Sequence, residues 1–323
     1  MKKSRLGYGI CLTVLVLLYG LLSACSNSNH IFKEEKQQDS SSQVLQKESN
    51  LDALQKQEES IEDDFEVQDS KIAEESVQKA DQQESAVMVC FEVRPGAYLQ
   101  EILQDLVELG WGENCVELLQ MLELKQQDIP EDALWSLIPN PEERAFAAEG
   151  YIAPGIYEWE ESASIDEVLD ILLTSWDRAI TGEMLDHAML QGYTVDEILI
   201  MASIVEWESS FDPHNIVKNE VAAVVRNRIE SETPLQMDVT IFYLQEALEP
   251  YRDPQLYEDA YDTYIRSTLP AGPIGSPSLD SIAAVLKPAD THDLFFVYDE
   301  EGNYYFAEDY DQHLVNCQLA GIY

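Results

Sequence analysis

The composition of the chain changes abruptly near Val87, and this change decides where a folded core can begin. Residues 27–87 contain no Gly and no Pro and are rich in Glu, Gln, Ser and Lys. Such a segment buries too little apolar surface to offset the entropy of ordering the chain. A weak heptad pattern starts at Leu51, but Glu and Gln interrupt it, so a coiled coil is the less favoured alternative. Residues 26–87 are therefore predicted to form an acidic, disordered stalk.

The N-terminus predicts export and a lipid anchor. Lys2, Lys3 and Arg5 precede an apolar run that ends in the sequence LSAC at Cys25. A basic start, an apolar centre and small residues at the end are typical of a secretory signal, here residues 1–25. The LSAC ending resembles a bacterial lipobox, in which the cysteine carries the lipid. A membrane-spanning helix is the alternative, since the run is nearly long enough to cross a bilayer. The predicted location is the extracytoplasmic face of the cell membrane.

Charge argues against nucleic acid as a partner. The chain has 19 Lys and Arg against 62 Asp and Glu, a net charge of −43. A surface of this sign repels phosphate backbones. Its charge bears on solubility and association, whereas the fold has to be predicted from hydrophobic patterning.

The cysteines predict no metal centre. Cys11 lies within the signal and Cys25 at its end, which leaves Cys90, Cys115 and Cys317 for the exported chain. Their spacing matches neither a disulfide framework nor a metal site. One disulfide and three free thiols both remain open. No metal and no cofactor are predicted.

Hydrophobic periodicity after Val87 predicts helices with little sheet, an α+β fold. Residues 87–93 favour a strand, Pro95–Gly96 a turn, and Ser164 with Glu167 a capping box that starts a helix. The other predicted elements are helices at 99–109, 115–124, 183–190, 194–208, 214–230 and 278–286, an extended segment at 235–243, and a hairpin of 294–298 with 304–307.

Glu206 is the main catalytic candidate on physical grounds. Thr194 and Glu197 form a capping box, and Glu206 continues the apolar stripe of the helix that follows, four positions after Ala202. A carboxyl among apolar side chains is expected to have a raised pKa, which suits a general acid. Glu208 lies on a less apolar side of the helix and ranks second. The alternative is that Glu206 is an ordinary helix-end carboxylate or half of a buried ion pair.

Four motifs between Met201 and Gly275 resemble one known family. ASIVEWE is followed by VVRNRI, LQMDVT and YDTYIRSTLPAGPI, and together they resemble the MltG-type (YceG-like) endolytic murein transglycosylases. The resemblance covers Val87 to the C-terminus and is most specific from Met201 to Asp309. It departs from the family pattern at Met237, Val239, Asp262 and Thr268.

The resemblance implies a domain order and a set of site residues. Residues 88–160 would be a small LysM-like βα module with its junction, and residues 161–323 a mixed helical catalytic domain with a small sheet. Glu206 would be the catalytic glutamate. Gln236, Asp238, Tyr261 and Tyr264 would contact substrate, although both tyrosines could equally be packing residues. Arg228 is expected to position its helix through a salt bridge rather than to bind substrate.

The resemblance also implies a reaction. A lytic transglycosylase needs one carboxyl, because the C6 hydroxyl of N-acetylmuramic acid replaces water as the nucleophile and leaves a 1,6-anhydro end. The implied partners are peptidoglycan glycan strands, the membrane through the lipid anchor, and the cell-wall synthases of elongation or division. The alternative from another class is a non-catalytic, lipid-anchored wall-binding or scaffold protein of the same fold.

Overall fold

The computed structural model describes residues 87–125, 143–212, 214, 216–249 and 251–322. All of them lie in one compact unit, Glu84–Tyr323. The predicted signal, the lipid site at Cys25 and all but the last residue of the stalk lie outside the described residues, and those predictions stay predictions.

The described residues form an α+β fold, as the sequence predicts. In chain order the elements are β1 (Met88–Val93), α1 (Leu99–Glu108), α2 (Cys115–Lys125), β2 (Gly155–Glu160), α3 (Ile165–Leu173), α4 (Ser175–Ala179), α5 (Gly182–Gln191), α6 (Val195–Glu208), α7 (Lys218–Glu230), α8 (Asp238–Phe242), a π-helical turn (Tyr243–Ala247), a 3₁₀ turn (Pro254–Leu256), α9 (Glu258–Tyr261), α10 (Leu279–Leu286), β3 (Phe295–Tyr298), β4 (Tyr304–Ala307) and α11 (Tyr310–Leu319).

Helix α6 is the centre of the core, and its start is set locally. The Thr194 hydroxyl accepts a hydrogen bond from the backbone of Glu197, whose carboxylate accepts one from the backbone of Thr194. This is the predicted capping box. From Ile198 to Val205 every residue is buried, because α7 and α10 both pack against the helix. A helix covered on so many sides can bury a polar group only where a partner meets it.

Two antiparallel sheets of two strands each complete the fold of the described residues. Strand β1 pairs with β2 from Met88 opposite Glu160 to Val93 opposite Gly155. Strand β2 was not predicted from the sequence, and only its pairing with β1 reveals it. The second sheet pairs β3 with β4, the predicted hairpin, with Tyr298 opposite Tyr304. Assignment of residues 88–160 to a LysM-like module stays a prediction.

Three local predictions differ from the structure. Residues 235–243 are not one extended segment, because the Thr240 hydroxyl donates to the carbonyl of Met237 and α8 begins at Asp238. Helix α7 begins at Lys218 rather than His214, since the Asp212 carboxylate accepts the backbone N–H groups of His214 and Val217 and holds a turn there. The terminal helix α11 was not predicted.

The Pro95–Gly96 turn joins β1 to the segment that precedes α10. The N–H of Gly96 donates to the carbonyl of Ser276 at 2.7 Å, and the N–H of Ser276 donates to the carbonyl of Ala97 at 2.9 Å. Gly275 has φ +138°, and a Cβ there would lie 2.7 Å from the carbonyl oxygen of Gly96. Only glycine permits this approach of two backbones.

Among the described residues, no helix taken singly has the length and apolar character needed to cross a membrane. The consecutive helices α5 and α6 pass the same test only as a pair, and they are bent by 93° relative to each other.

Candidate active site

The last turn of α6 carries two glutamates, Glu206 and Glu208. Residues two positions apart on a helix point to opposite sides. Here one side faces α7 and the start of α10, and the other faces the segment at the start of α8. Two carboxyls of the same helix turn therefore lie in different environments, and their chemistry has to be considered separately.

Glu206 is held by a closed set of donors. Lys218 Nζ lies 3.1 Å from both carboxylate oxygens, with both side chains largely buried. Oε2 also accepts the backbone N–H of Ser278 at 2.9 Å, the hydroxyl of Ser281 at 2.6 Å, and the hydroxyl of Ser278. Ser278 is the N-cap of α10, so the carboxylate lies at a helix N-terminus, where negative charge is stabilised.

The expected raised pKa of Glu206 is wrong. Burial acts to raise it, but the hydrogen bonds from Ser278 and Ser281 and the charge of Lys218 together outweigh burial, and the net pKa is lower than usual. A carboxylate that accepts several hydrogen bonds is stabilised in its charged form. The structure therefore matches the alternative, in which Glu206 is half of a buried ion pair that connects α6, α7 and α10.

Glu208 has the property that was expected of Glu206. Its residue is 8 % exposed. Burial, reinforced by the negative charge of Asp238, raises the pKa of its carboxyl to about 8, although Arg228 and the backbone N–H of Val239 act in the opposite direction. Glu208 is thus protonated at neutral pH, which is the state a general acid needs.

Three of the predicted substrate residues are accessible to solvent, and two of them, Asp238 and Tyr264, interact electrostatically with Glu208. Asp238 and Gln236 are exposed, and Tyr264 is 46 % exposed. The Tyr264 hydroxyl donates to Asp238 Oδ1 at 2.6 Å. Gln236 has φ +50°, a left-handed conformation that costs a non-glycine residue roughly 1–2 kcal/mol. Its N–H donates to the carbonyl of Thr263 at 3.0 Å, which holds the backbone in this conformation.

Arg228 positions backbone rather than forming the predicted salt bridge. Its Nε donates to the carbonyl of Leu294 at 2.5 Å, and Nη1 donates to the carbonyl of Leu235. Its guanidinium lies 5.3 Å from the ring centroid of Phe295. The neighbouring Asn227 donates to the carbonyls of Thr291 and Asp293 at 3.0 and 2.9 Å. Both side chains attach the segment that leads into β3 to α7. The Arg228 charge interacts with Glu208.

Tyr261 does not present a ring to substrate. It is fully buried, and its ring lies 5.2 Å from that of Tyr243. The packing alternative therefore describes Tyr261. Tyr264, three residues later, is the tyrosine of this motif that remains accessible.

The partners of Glu206 and the buried carboxyl of Glu149 were not predicted from the sequence. Lys218, Ser278 and Ser281 come from two other helices and share no local pattern with α6. Glu149 is fully buried, accepts the N–H of Leu99 at 2.9 Å, and is 3.2 Å from the hydroxyl of Tyr243. Burial raises its pKa to about 8. No sequence pattern marks either the partners of Glu206 or the buried Glu149; a single sequence gives only their residue types.

Within the described ranges, no three His, Cys, Asp or Glu side chains are placed to hold a metal ion. Cys90, Cys115 and Cys317 are free, so the disulfide alternative does not apply to them. Burial raises the pKa of the Cys115 and Cys317 thiols.

A model of the YceG-like family matches residues 29–319. A protein of Streptococcus pneumoniae (strain ATCC BAA-255 / R6), named endolytic murein transglycosylase, is 31% identical over 180 residues, which cover 52% of this chain and 31% of that protein. The protein of the same name in Bacillus subtilis (strain 168) is 28% identical over 174 residues, 51% of this chain and 46% of that protein.

The matched part of this chain thus covers less than half the length of these relatives. The crystal structure of a yceG-like protein from Listeria monocytogenes superimposes with a TM-score of 0.55 at 24% identity, covering 75% of this chain and 80% of that one. That likeness concerns the fold. The family match extends over most of the chain and includes every site residue discussed above except Cys25. The chain belongs to the YceG-like family.

Proposed function

We propose that this protein is an endolytic lytic transglycosylase that cuts peptidoglycan glycan strands during cell-wall assembly. It would cleave the β-1,4 bond between N-acetylmuramic acid and N-acetylglucosamine of nascent strands and leave 1,6-anhydro ends. The names of the relatives support the substrate class. The observation that carries the proposal is Glu208, a buried carboxyl whose pKa of about 8 keeps it protonated beside an exposed polar surface.

In the proposed reaction, Glu208 donates its proton to the glycosidic oxygen as the bond from that oxygen to C1 breaks, and the N-acetylglucosamine leaves with a free 4-hydroxyl. The C6 hydroxyl oxygen of the muramic acid then bonds to C1, and its proton passes to the Glu208 carboxylate. The carboxyl is regenerated, a C1–O6 bond within the muramic acid has replaced the bond between the two sugars, and no water is consumed. A hydrolase would generally need a second carboxylate at a set separation.

This proposal gives the two glutamates different roles. Glu206 is the candidate that the sequence favours, and it stays the competing assignment. Its ion pair with Lys218 and its bonds to Ser278 and Ser281 hold it charged, so it has no proton to donate at neutral pH. We assign proton donation to Glu208 and a positioning role to Glu206, which fixes the end of α6.

Asp238, Gln236 and Tyr264 are proposed to contact the sugars. The Asp238 carboxylate lies close enough to Glu208 to interact with it electrostatically, and an anion beside the proton donor would stabilise the positive charge that develops at C1. The hydrogen bond that Asp238 accepts from the Tyr264 hydroxyl holds the carboxylate in place. The Gln236 amide offers both a donor and an acceptor, which suits an N-acetyl group.

The direct test is mass spectrometry of products from purified, uncrosslinked glycan strands incubated with the full-length protein. Anhydro-muramyl ends are the expected product. Reducing muramyl ends would instead indicate hydrolysis. Strands recovered uncut but bound would favour the non-catalytic scaffold, the alternative from another class.

Anchoring by lipid at Cys25, on the extracytoplasmic face of the membrane, is part of the same proposal, with cell-wall synthases as partners. Its support is the LSAC sequence after an apolar run. Labelling with a fatty-acid analogue should be seen in the wild type and lost in Cys25→Ala. A membrane-bound wild type without label would favour the spanning helix.

A further inference from the structure

We propose that Phe211 and Tyr298 form a stacking subsite for a neutral N-acetylhexosamine ring of the glycan strand, next to the cleavage site. The two rings are nearly parallel, at 19°, with centroids 4.9 Å apart. Phe211 is 52% exposed although its ring is large and apolar. This inference rests on the proposed function and adds a specificity determinant to it.

The pair is connected to Glu208 through Tyr304. Tyr298 lies opposite Tyr304 across the β3–β4 pair, with ring centroids 5.1 Å apart. The Tyr304 hydroxyl donates to the backbone carbonyl of Glu208 at 2.6 Å. Phe211 itself follows Glu208 by three positions in the chain. The aromatic surface therefore continues from the end of α6 that carries the proposed proton donor.

Phe211 is held in place before any ligand arrives. The N–H of Asp212 donates to the carbonyl of Ser209 at 3.1 Å, and the Asp212 carboxylate accepts the N–H groups of His214 and Val217. On the hairpin, Phe296, Tyr304 and Phe306 pack against the core, whereas Tyr298 stacks on Phe211. A rigid ring binds with a small loss of conformational entropy.

Chemistry selects a sugar as the occupant. The face of an aromatic ring carries negative partial charge, and the axial C–H groups of a pyranose carry positive partial charge, so the two stack. The protein's net charge of −43 offers no general attraction for an anionic wall strand. Binding therefore has to come from local contacts with the neutral sugars, which exposed, preorganised rings supply.

The test is titration of full-length protein with muramyl-glucosaminyl oligosaccharides of two and eight sugars. Phe211→Ala and Phe211→Leu should each weaken binding of the eight-sugar strand about five- to tenfold, while Phe211→Tyr stays within about twofold of wild type. Leucine keeps apolar volume without a ring, so it separates stacking from packing. Tyr298→Leu should have a similar effect. The two-sugar fragment is too short to occupy the cleavage site and the Phe211–Tyr298 subsite together, so all variants should bind it alike.

Tyr310→Ala is the matched control. Tyr310 is 58% exposed and lies beside Phe295, on the other face of the same hairpin. The Tyr310→Ala variant should bind the eight-sugar strand as wild type does. Equal binding of the long strand by Phe211→Leu and wild type would overturn the subsite, as would a change in oligomeric state without a change in glycan affinity.

The result is separable from the proposed function. Wild-type protein that binds the long strand through Phe211 but yields no anhydro ends would contradict catalysis and leave the subsite intact. Normal turnover with a KM unaffected by Phe211→Leu would overturn only the subsite. A wild-type protein that does not bind the strand would overturn both.

Discussion

Glu206 and Glu208 lie in the same turn of α6, and their carboxyls have pKa values displaced in opposite directions. Lys218 and two serines hold the first as an anion, whereas burial and Asp238 keep the second protonated to about pH 8. Pairs of titratable groups whose environments separate their pKa values commonly mark acid and base roles. The predictions below separate the roles of these two residues.

Replacing Glu208 should abolish the reaction, since glutamine is nearly isosteric but cannot give and regain a proton. For Glu208→Gln we expect a loss of at least about a hundredfold in the rate of anhydro-end formation, at unchanged thermal unfolding temperature. Product formation is measured by mass spectrometry. Glu206→Gln is the matched variant and should retain more activity. An inactive, folded Glu206→Gln together with an active Glu208→Gln would return the donor role to Glu206.

The pH dependence should carry the same signature. Glu208 has to be protonated to act, so kcat/KM should fall as pH rises through about 8. A donor with the lowered pKa of Glu206 would instead already lose activity as pH rises through a value below the ordinary glutamate value of 4.5. Because Glu149 also has a pKa of about 8, the profile should be repeated with Glu149→Gln. If the alkaline limb disappears in Glu149→Gln, the limb belongs to Glu149.

Removing the cation from the Glu206 network should destabilise the fold. Lys218→Met leaves a largely buried carboxylate without its opposite charge, and we expect the free energy of unfolding to fall by about 3 kcal/mol. In Glu206→Gln/Lys218→Met the loss should be smaller than the sum of the single losses, as urea unfolding can measure. Arg226→Met is the control on the same helix, because its pair with Glu230 is looser, at 3.8 Å, and more exposed. It should cost less than about 0.5 kcal/mol. Strictly additive losses in the double variant would show that Lys218 and Glu206 do not interact.

Glu149 should make stability depend on pH. Its folded-state pKa of about 8 is above the ordinary 4.5, so between these values the folded protein binds a proton that the unfolded chain has released. Stability conferred in this way is complete below about pH 4.5 and is lost as pH rises to 8. Glu208 acts in the same direction. Each of the two carboxyls changes the free energy of unfolding by up to about 1.4 kcal/mol per pH unit. Glu149→Gln should make the fall in stability between pH 5 and 8 clearly shallower. An unchanged slope in denaturant unfolding would contradict the assignment.

Local patterns predicted the helices of this fold well, because capping boxes and apolar stripes are properties of a few neighbouring residues. Thr194 with Glu197 and Ser164 with Glu167 both start helices as expected. Strand β2 was missed because its partner is more than fifty residues away. Stripe position predicted a raised pKa for Glu206, and the pKa is lowered instead. An apolar stripe predicts burial, but burial alone does not give a raised pKa. Lys218 and Ser278 decide that question, and only the packing of three helices brings them to Glu206.

The approach of Gly96 to Ser276 bears on how this chain reaches its folded state. About 180 residues separate the two segments, and closing a loop of that size is entropically costly and slows folding. In a chain that emerges N-terminus first, the buried leucines of α1 exist long before the segment that covers the adjoining turn. Until residues 275 and 276 arrive, the Pro95–Gly96 turn lacks the two backbone hydrogen bonds that join it to the segment before α10. The tight glycine junction therefore makes the earliest folded-domain segment dependent on one of the latest.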